Sequence, residues 1–371
     1  MILRGHVLWS ASATPSGKDG RAQPRWDSGT FEIRDGRIYR STSPASADYE
    51  GWVLPGLVDV HCHIGIGPQG AVGDEQMLAQ ARTDRASGVL LARDCGVPVD
   101  NSAVTNRPDT LKVIQSGRHI ARPKRYIRGL SIEVENEADL PRIMAEQSMA
   151  GDGWVKIVAD WIDRSEGADS DLKPLWSTAA LVDGIAAAHE AGARVTAHVF
   201  GREAIDGLLE GGIDCIEHGA GMEESHVQEA AERGIPVTPT LMQVDLFNEF
   251  ADQAGSKYPV YGSTMRMLAR RHDELLGMLC DYQIQLLPGT DAGGYQQHGQ
   301  LPTELSKWTR MGLSPSDIID AATWRAREYL GFPSLAEGAP ADLVIYDRDP
   351  REDISVLSDP ITTVLDGQIQ S

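Results

Sequence analysis

The sequence predicts an α/β chain: a (β/α)8 TIM barrel carrying a small β-sandwich domain built from both chain termini. Three observations predict it. Eight short apolar runs alternate with helix-like segments rich in Ala, Glu, Leu and Arg between residues 55 and 337, the texture of repeated βα units. Short alternating runs separated by Gly, Pro, Ser and Asp fill residues 1–54 and return only at 338–371. Metal-capable side chains gather at the ends of the barrel runs, the end at which barrels of this kind place their active sites.

The terminal domain comes first in the chain. Residues 2–9, 30–34 and 37–39 alternate as antiparallel strands do, and Arg34-Asp-Gly-Arg37 is a hairpin-turn signal. The matching runs 341–347 and 361–367 lie at the far end, so the two termini are expected to meet, with the barrel inserted between them. The eight expected barrel strands are 56–61, 88–94, 126–132, 154–159, 194–198, 212–217, 235–241 and 283–290. Connecting segments such as 181–192 and 202–212 are apolar at helical spacing and end in glycine, a common helix stop. Two stretches are less regular: 161–174 is acidic and loop-like directly after strand four, and 243–271 reads as a helical insertion or a lid over the mouth.

Composition narrows the function. The 371 residues carry 54 Asp and Glu against 34 Lys and Arg, a formal charge of −20, which argues against nucleic acid or an anionic membrane as partner and favours a small-molecule substrate. Association into a homo-oligomer is left open. Apolar residues make up 41%, enough for a sizeable core. No 18-residue apolar segment is present, and Met1 to Trp9 is too short and mixed for a signal peptide, so a cytoplasmic location is expected. Cys62, Cys95, Cys215 and Cys280 form no Cys-x-x-Cys pair and are expected to be free thiols.

Strand one ends in His61-Cys-His63, and side chains two apart on a strand share a face, so both imidazoles can reach one ion. Strand four carries Lys156 within Trp154-Val-Lys-Ile-Val158, where an unpaired ammonium is costly. Strand five ends in His198, strand six in Glu217-His218, and strand eight in Thr290-Asp291. Any one of these residues has an ordinary explanation, such as an N-cap for Asp291; their joint placement at one rim does not. Of the other histidines, His189, His226 and His272 fall in helix-like segments and read as solvated, while His6 and His119 have no partner pattern. Arg128, at the end of the expected third strand, suits a substrate carboxylate.

Pro55-Gly-Leu-Val-Asp-Val-His-Cys-His63, Lys156, His198, Ile216-Glu-His-Gly219, Gly289-Thr-Asp-Ala-Gly293 and Gly338-Ala-Pro-Ala-Asp-Leu-Val-Ile-Tyr-Asp347 together resemble the metal-dependent amidohydrolase superfamily. Within it the chain is similar to the imidazolonepropionase-like and prolidase-like (Xaa-Pro or Xaa-Arg dipeptidase) branch. The resemblance implies two divalent metal ions: His61, His63 and Asp291 hold the more buried one, His198 and His218 the second. Lys156 bridges them as a carbamylated (N-carboxylated) lysine, a cation turned into an oxygen ligand. Zinc suits these ligands best, with manganese or cobalt also fitting. Asp291 is the expected catalytic general base and later acid. Glu217 and Thr290 are placed to orient the ligands, His298 follows a His-Gly pattern of the branch that puts it in the pocket, and Asp94 in Arg93-Asp-Cys-Gly96 reads as structural. One departure is visible: Phe200 stands where the branch often has a second histidine.

The expected activity is hydrolysis of an amide bond in an N-acyl amino acid, a dipeptide or a cyclic amide. Rival readings are a lactonase or phosphotriesterase on the same metal cage, a mononuclear imidazolone-type hydrolase or deaminase, and a non-catalytic scaffold. Deaminases of the superfamily usually carry His-x-x-Glu after strand five, where this chain has His198-Val-Phe-Gly201, and a scaffold would have lost ligands.

Overall fold

Alternation along the two chain ends resolves into one sheet. The computed structural model describes residues 1–11, 24–105 and 107–370; residues 12–23 of the expected terminal domain lie outside that set. The strands run in the spatial order Ala339–Pro340, Arg37–Ser41, Arg25–Arg34, Ile2–Trp9, Tyr49–Pro55, Leu343–Tyr346, Thr362–Leu365, Gln368–Gln370. Strands from the two chain ends therefore meet in a single ladder of eight. Two Asp-Gly turns fold its hairpins: Asp35 and Gly36 have φ of 50° and 74°, Asp366 and Gly367 of 47° and 76°, the paired left-handed conformation that a tight hairpin needs. Because side chains alternate faces, Val53, Leu343 and Ile345 enter a core private to the sheet. Leu54, Val344 and Tyr346 join the barrel core instead.

The barrel strands are parallel and apolar on both faces, as a sheet covered by helices requires. Leu57–Cys62 pairs with Val89–Asp94, which pairs with Lys112–Gln115. The chain then passes Gly117 and resumes at Ile120–Ala121, which pairs with Trp154–Val158. Arg194–Val199, Cys215–His218 and Val237–Thr238 follow in order. Bridges from Val237 to Leu286 and from Cys62 to Ala292, with Val60 N donating to Pro288 O at 2.8 Å, close the ring through an eighth stave.

The third stave corrects the expected one. It is Lys112–Gln115 with Ile120–Ala121, while only Ile132 of the expected run 126–132 is extended, in the edge strand Ile132–Glu133 on Ile120–Ala121. The polar interruption Ser116-Gly-Arg-His119, with Gly117 at φ +67°, breaks the apolar run and hides it from a periodicity reading.

Two elements cover the mouth. Residues 161–174 are more ordered than a loop: Asp160–Ile162 pairs antiparallel with Leu172–Pro174, and the short 3-10 turn Arg164–Asp169 joins them. The region 243–271 is helical as expected, formed by Leu241–Asp245, Phe247–Ala254 and the first half of Pro259–Asp281. Its Phe247, Ala251, Met265 and Leu268 pack on Phe200 and Leu172 beside the mouth. The four cysteines are free, and no helix among the described residues is long and apolar enough to cross a membrane.

Candidate metal centre at the barrel mouth

The strand pattern sets the first three candidate ligands, whose donor atoms lie close enough together to hold one ion. His61 and His63 leave the first strand on one face, their rings edge-on at 5.3 Å. Asp291 Oδ1, from the eighth stave, lies 3.0 Å from His61 Nε2 and 3.2 Å from His63 Nε2. His63 Nδ1 is 3.0 Å from Gly96 O, so it donates there, and with its proton on that nitrogen the ring turns the Nε2 lone pair towards a carboxylate oxygen. Such an arrangement repels unless a cation, proton or metal, sits among the three atoms.

The remaining histidines continue the line. Ring centroids of His61 and His218 are 5.1 Å apart, and those of His218 and His198 4.7 Å. Thr240 Oγ1 donates to Pro239 O and lies 2.7 Å from His218 Nδ1, so it accepts from that nitrogen. His218 Nε2 is thereby left with its lone pair, buried and without a partner, the state a ligand needs. Burial pulls the His61, His198 and His218 imidazoles well below the ordinary histidine value, so they are neutral. Backbone conformation aims two of the side chains. His218 and Asp291 have φ of 63° and 57°, rare for residues with a side chain and found where function holds the strain.

Lys156 is 1% exposed and meets the Glu217 carboxylate. Glu217 is held from its other side by Thr196 Oγ1 at 2.6 Å and Cys95 Sγ at 3.1 Å, with Arg93 at 3.6 Å. Burial lowers the Lys156 ammonium to about 8. The neutral amine is accordingly accessible near neutral pH, and only that form can take up carbon dioxide. The supports of the first strand are also polar and buried. Asp59 accepts from His61 N, Thr290 N and Thr290 Oγ1, and Asp94 accepts from Ile64 N, Gly96 N and Asn101 Nδ2. Burial pushes Asp59 up to about 7 and Asp94 to about 6.

His63, His198 and Asp291 open into a cavity of about 260 Å³. Its walls are rich in aromatic side chains, with Tyr126, Trp161, Phe200, Phe250, Tyr261 and Tyr295 among them. A model of the amidohydrolase family matches residues 52–369. The chain belongs to the amidohydrolase family. It is 45% identical over 340 residues to an uncharacterized protein of Mycobacterium tuberculosis, covering 91% of this chain and 90% of that one. Ochratoxinase of Aspergillus niger is 27% identical over 176 residues, 45% of this chain and 35% of that one. Among solved structures, a Xaa-Pro dipeptidase with bound methionine superposes with a TM-score of 0.79 at 20% identity, over 100% of both chains. Aspergillus niger ochratoxinase superposes with 0.76 at 19%, over 99% of this chain and 94% of that one. At these identities the two superpositions establish the shared fold.

Within this family member, the six sequence-selected residues His61, His63, Lys156, His198, His218 and Asp291 all converge on one end of the barrel, whereas the two substrate-contact candidates do not. Arg128 is exposed on the turn before Gly129, outside the cavity. His298 is buried against Asp84, Nδ1 to Oδ2 2.7 Å, with Gly299 N on the other oxygen, and it is not on the cavity wall.

Three histidines differ from their sequence reading. His226 and His272 are 3% and 2% exposed rather than solvated, because each faces inward on its helix; His226 closes a capping box with Glu223 and meets Asp206. His119 is fully buried, stacks on His63 at 5.0 Å and lines the cavity, with both ring nitrogens unpartnered. Only correct placement of the third stave would have revealed it.

Proposed function

We propose that this chain is a metal-dependent hydrolase that cleaves an amide C–N bond in a small molecule with a large apolar group, of the class of N-acyl amino acids, dipeptides and cyclic amides. The observation that carries the reading is the convergence of four imidazoles, Asp291 and a buried lysine at the barrel mouth, where His63, His198 and Asp291 open into a cavity rich in aromatic side chains. Family membership supports the reaction class, and the fold relatives named for dipeptide and ochratoxin hydrolysis agree with it.

Divalent ions held by His61, His63 and Asp291 and by His198 and His218, with carboxylated Lys156 between, would polarise a carbonyl and lower the pKa of a water. Zinc suits this ligand set, and manganese or cobalt also fits it. The chain supplies the rest. Asp291, at the meeting point of floor and cavity, accepts the proton of the attacking water and returns it to the leaving nitrogen. Glu217 steadies Lys156 and His61 from behind. The aromatic wall excludes water and seats the apolar part of the substrate. His119, on the cavity wall beside His63 with both ring nitrogens unpartnered, would donate to the carbonyl oxygen.

Metal-loaded protein should turn over members of a panel of N-acyl amino acids, dipeptides and cyclic amides, read by release of amine. No turnover on any of them would overturn the proposal.

A further inference from the structure

We propose that Arg164 is the residue that selects substrates bearing a carboxylate, holding that group at the cavity wall while the apolar part packs on the aromatic residues; this rests on the amide-hydrolase reading above. Arg164 lines the same cavity as His63, His198 and Asp291 and is the one Arg or Lys on its wall among the described residues. The rest of the wall offers an entering anion aromatic and aliphatic surface, tyrosine hydroxyls, imidazoles and two neutral amides, Gln243 and Gln253, with Asp291 as its carboxylate.

Arg164 is also unengaged, in a chain where carboxylates outnumber basic groups 54 to 34. It makes no ion pair or hydrogen bond among the described residues. Of the carboxylates around it, Asp163 is held by Arg125 Nη1 at 2.9 Å and Ser165 N at 3.0 Å, Asp160 by the backbone of Phe200 and Gly201, and Asp171 by Thr264 Oγ1 at 2.8 Å, while Glu166 and Asp169 of its own exposed turn make no ion pair with it.

The segment that carries it is fastened. Asp163 N donates to Asp171 O at 2.9 Å and Tyr261 N to Ser170 O at 3.1 Å, tying both ends of the turn. Gly167 turns the chain at φ 60°, ψ −120°, a conformation that a side chain would strain. An unpaired guanidinium on a fixed support beside an apolar wall is prepared for a planar anion, which it can meet with two parallel hydrogen bonds.

The test uses the metal-loaded protein and a matched pair of probes, N-acetyl-L-phenylalanine and N-acetyl-L-phenylalaninamide, which differ in the charge of one group. Turnover gives kcat and KM separately, and quenching of tryptophan fluorescence gives equilibrium binding. Wild type should favour the acid, and Arg164→Gln should weaken binding of the acid by roughly 10- to 100-fold, the range of a charged hydrogen bond, leaving kcat and the amide unchanged. Arg164→Lys should restore part of the loss. An equal effect of Arg164→Gln on both probes, no preference in wild type, or no measurable binding of the acid would overturn the proposal. Acid binding that depends on Arg164 without any hydrolysis would keep the anion site and reject the reaction. Hydrolysis without discrimination would do the reverse.

Discussion

In the proposed reaction Asp291 carries two tasks at one atom, since Oδ1 faces both His61 and His63 and the residue also opens onto the cavity. Replacing it by Asn keeps shape and removes the charge and the basic lone pair. Asp291→Asn is expected to fold and to keep most of its metal but to lose about 10²- to 10⁴-fold in kcat, the range of a general base. Turnover at the wild-type rate would reject the role. Lys156 has a different signature. It is buried with no function in an apolar strand unless its nitrogen is modified or paired, and Glu217 is its partner here. Lys156→Ala should lower bound metal per chain by elemental analysis, and an unchanged metal content would show that the lysine is not a ligand.

At the scale of elements, the helical cover is pinned to the barrel through a buried carboxylate. Glu304, on the helix Leu301–Lys307, accepts from Leu241 N at 2.8 Å, Met242 N at 2.9 Å and Trp308 Nε1 at 3.0 Å. It therefore caps the first turn of Leu241–Asp245, the start of the mouth cover. Burial pushes its carboxyl from 4.5 up to about 7. The folded protein then binds the proton more tightly than the unfolded chain, so stability from this group is present below about 4.5 and is lost as pH rises towards 7. Glu304→Gln removes that titration. The stability difference between Glu304→Gln and wild type, from denaturant melts at pH 5 and pH 8, should shift by on the order of a few kcal/mol in favour of the variant at the higher pH. A difference independent of pH would mean that Glu304 is ionised throughout.

On the scale of the whole molecule, the terminal sheet and the barrel share a core and ion pairs, so they are expected to unfold as one unit. Tyr346 belongs to a strand from the C-terminal end of the chain, yet its ring is fully buried in the barrel core. Lys112, on the third stave, reaches Asp342 and Asp366 of the terminal sheet, both at 2.7 Å. Tyr346→Ala should cost about 3 to 5 kcal/mol, as large aromatic truncations in cores do, and should lower one cooperative transition for both parts. Two separate transitions, with only the terminal sheet destabilised, would refute the single unit.

What the sequence by itself determined is whatever depends on neighbours along the chain. Period-two alternation puts His61 and His63 on one face and divides Val344 from Ile345, and Asp-Gly pairs mark the hairpins that bring the two termini into one sheet. Repeated apolar runs count the staves, and a strand-end position is enough to send His198, His218 and Asp291 to the same rim. Tertiary structure alone decided which side chains share the cavity. His119 enters it because the third stave bends at Gly117, Arg164 because a hairpin folds over the mouth, and His298 leaves it because Asp84, 214 residues away, takes its proton-bearing nitrogen. Local periodicity encodes the direction of a side chain relative to its own element. Pocket membership depends on where distant elements close upon one another, and that follows from packing the whole chain around a common core.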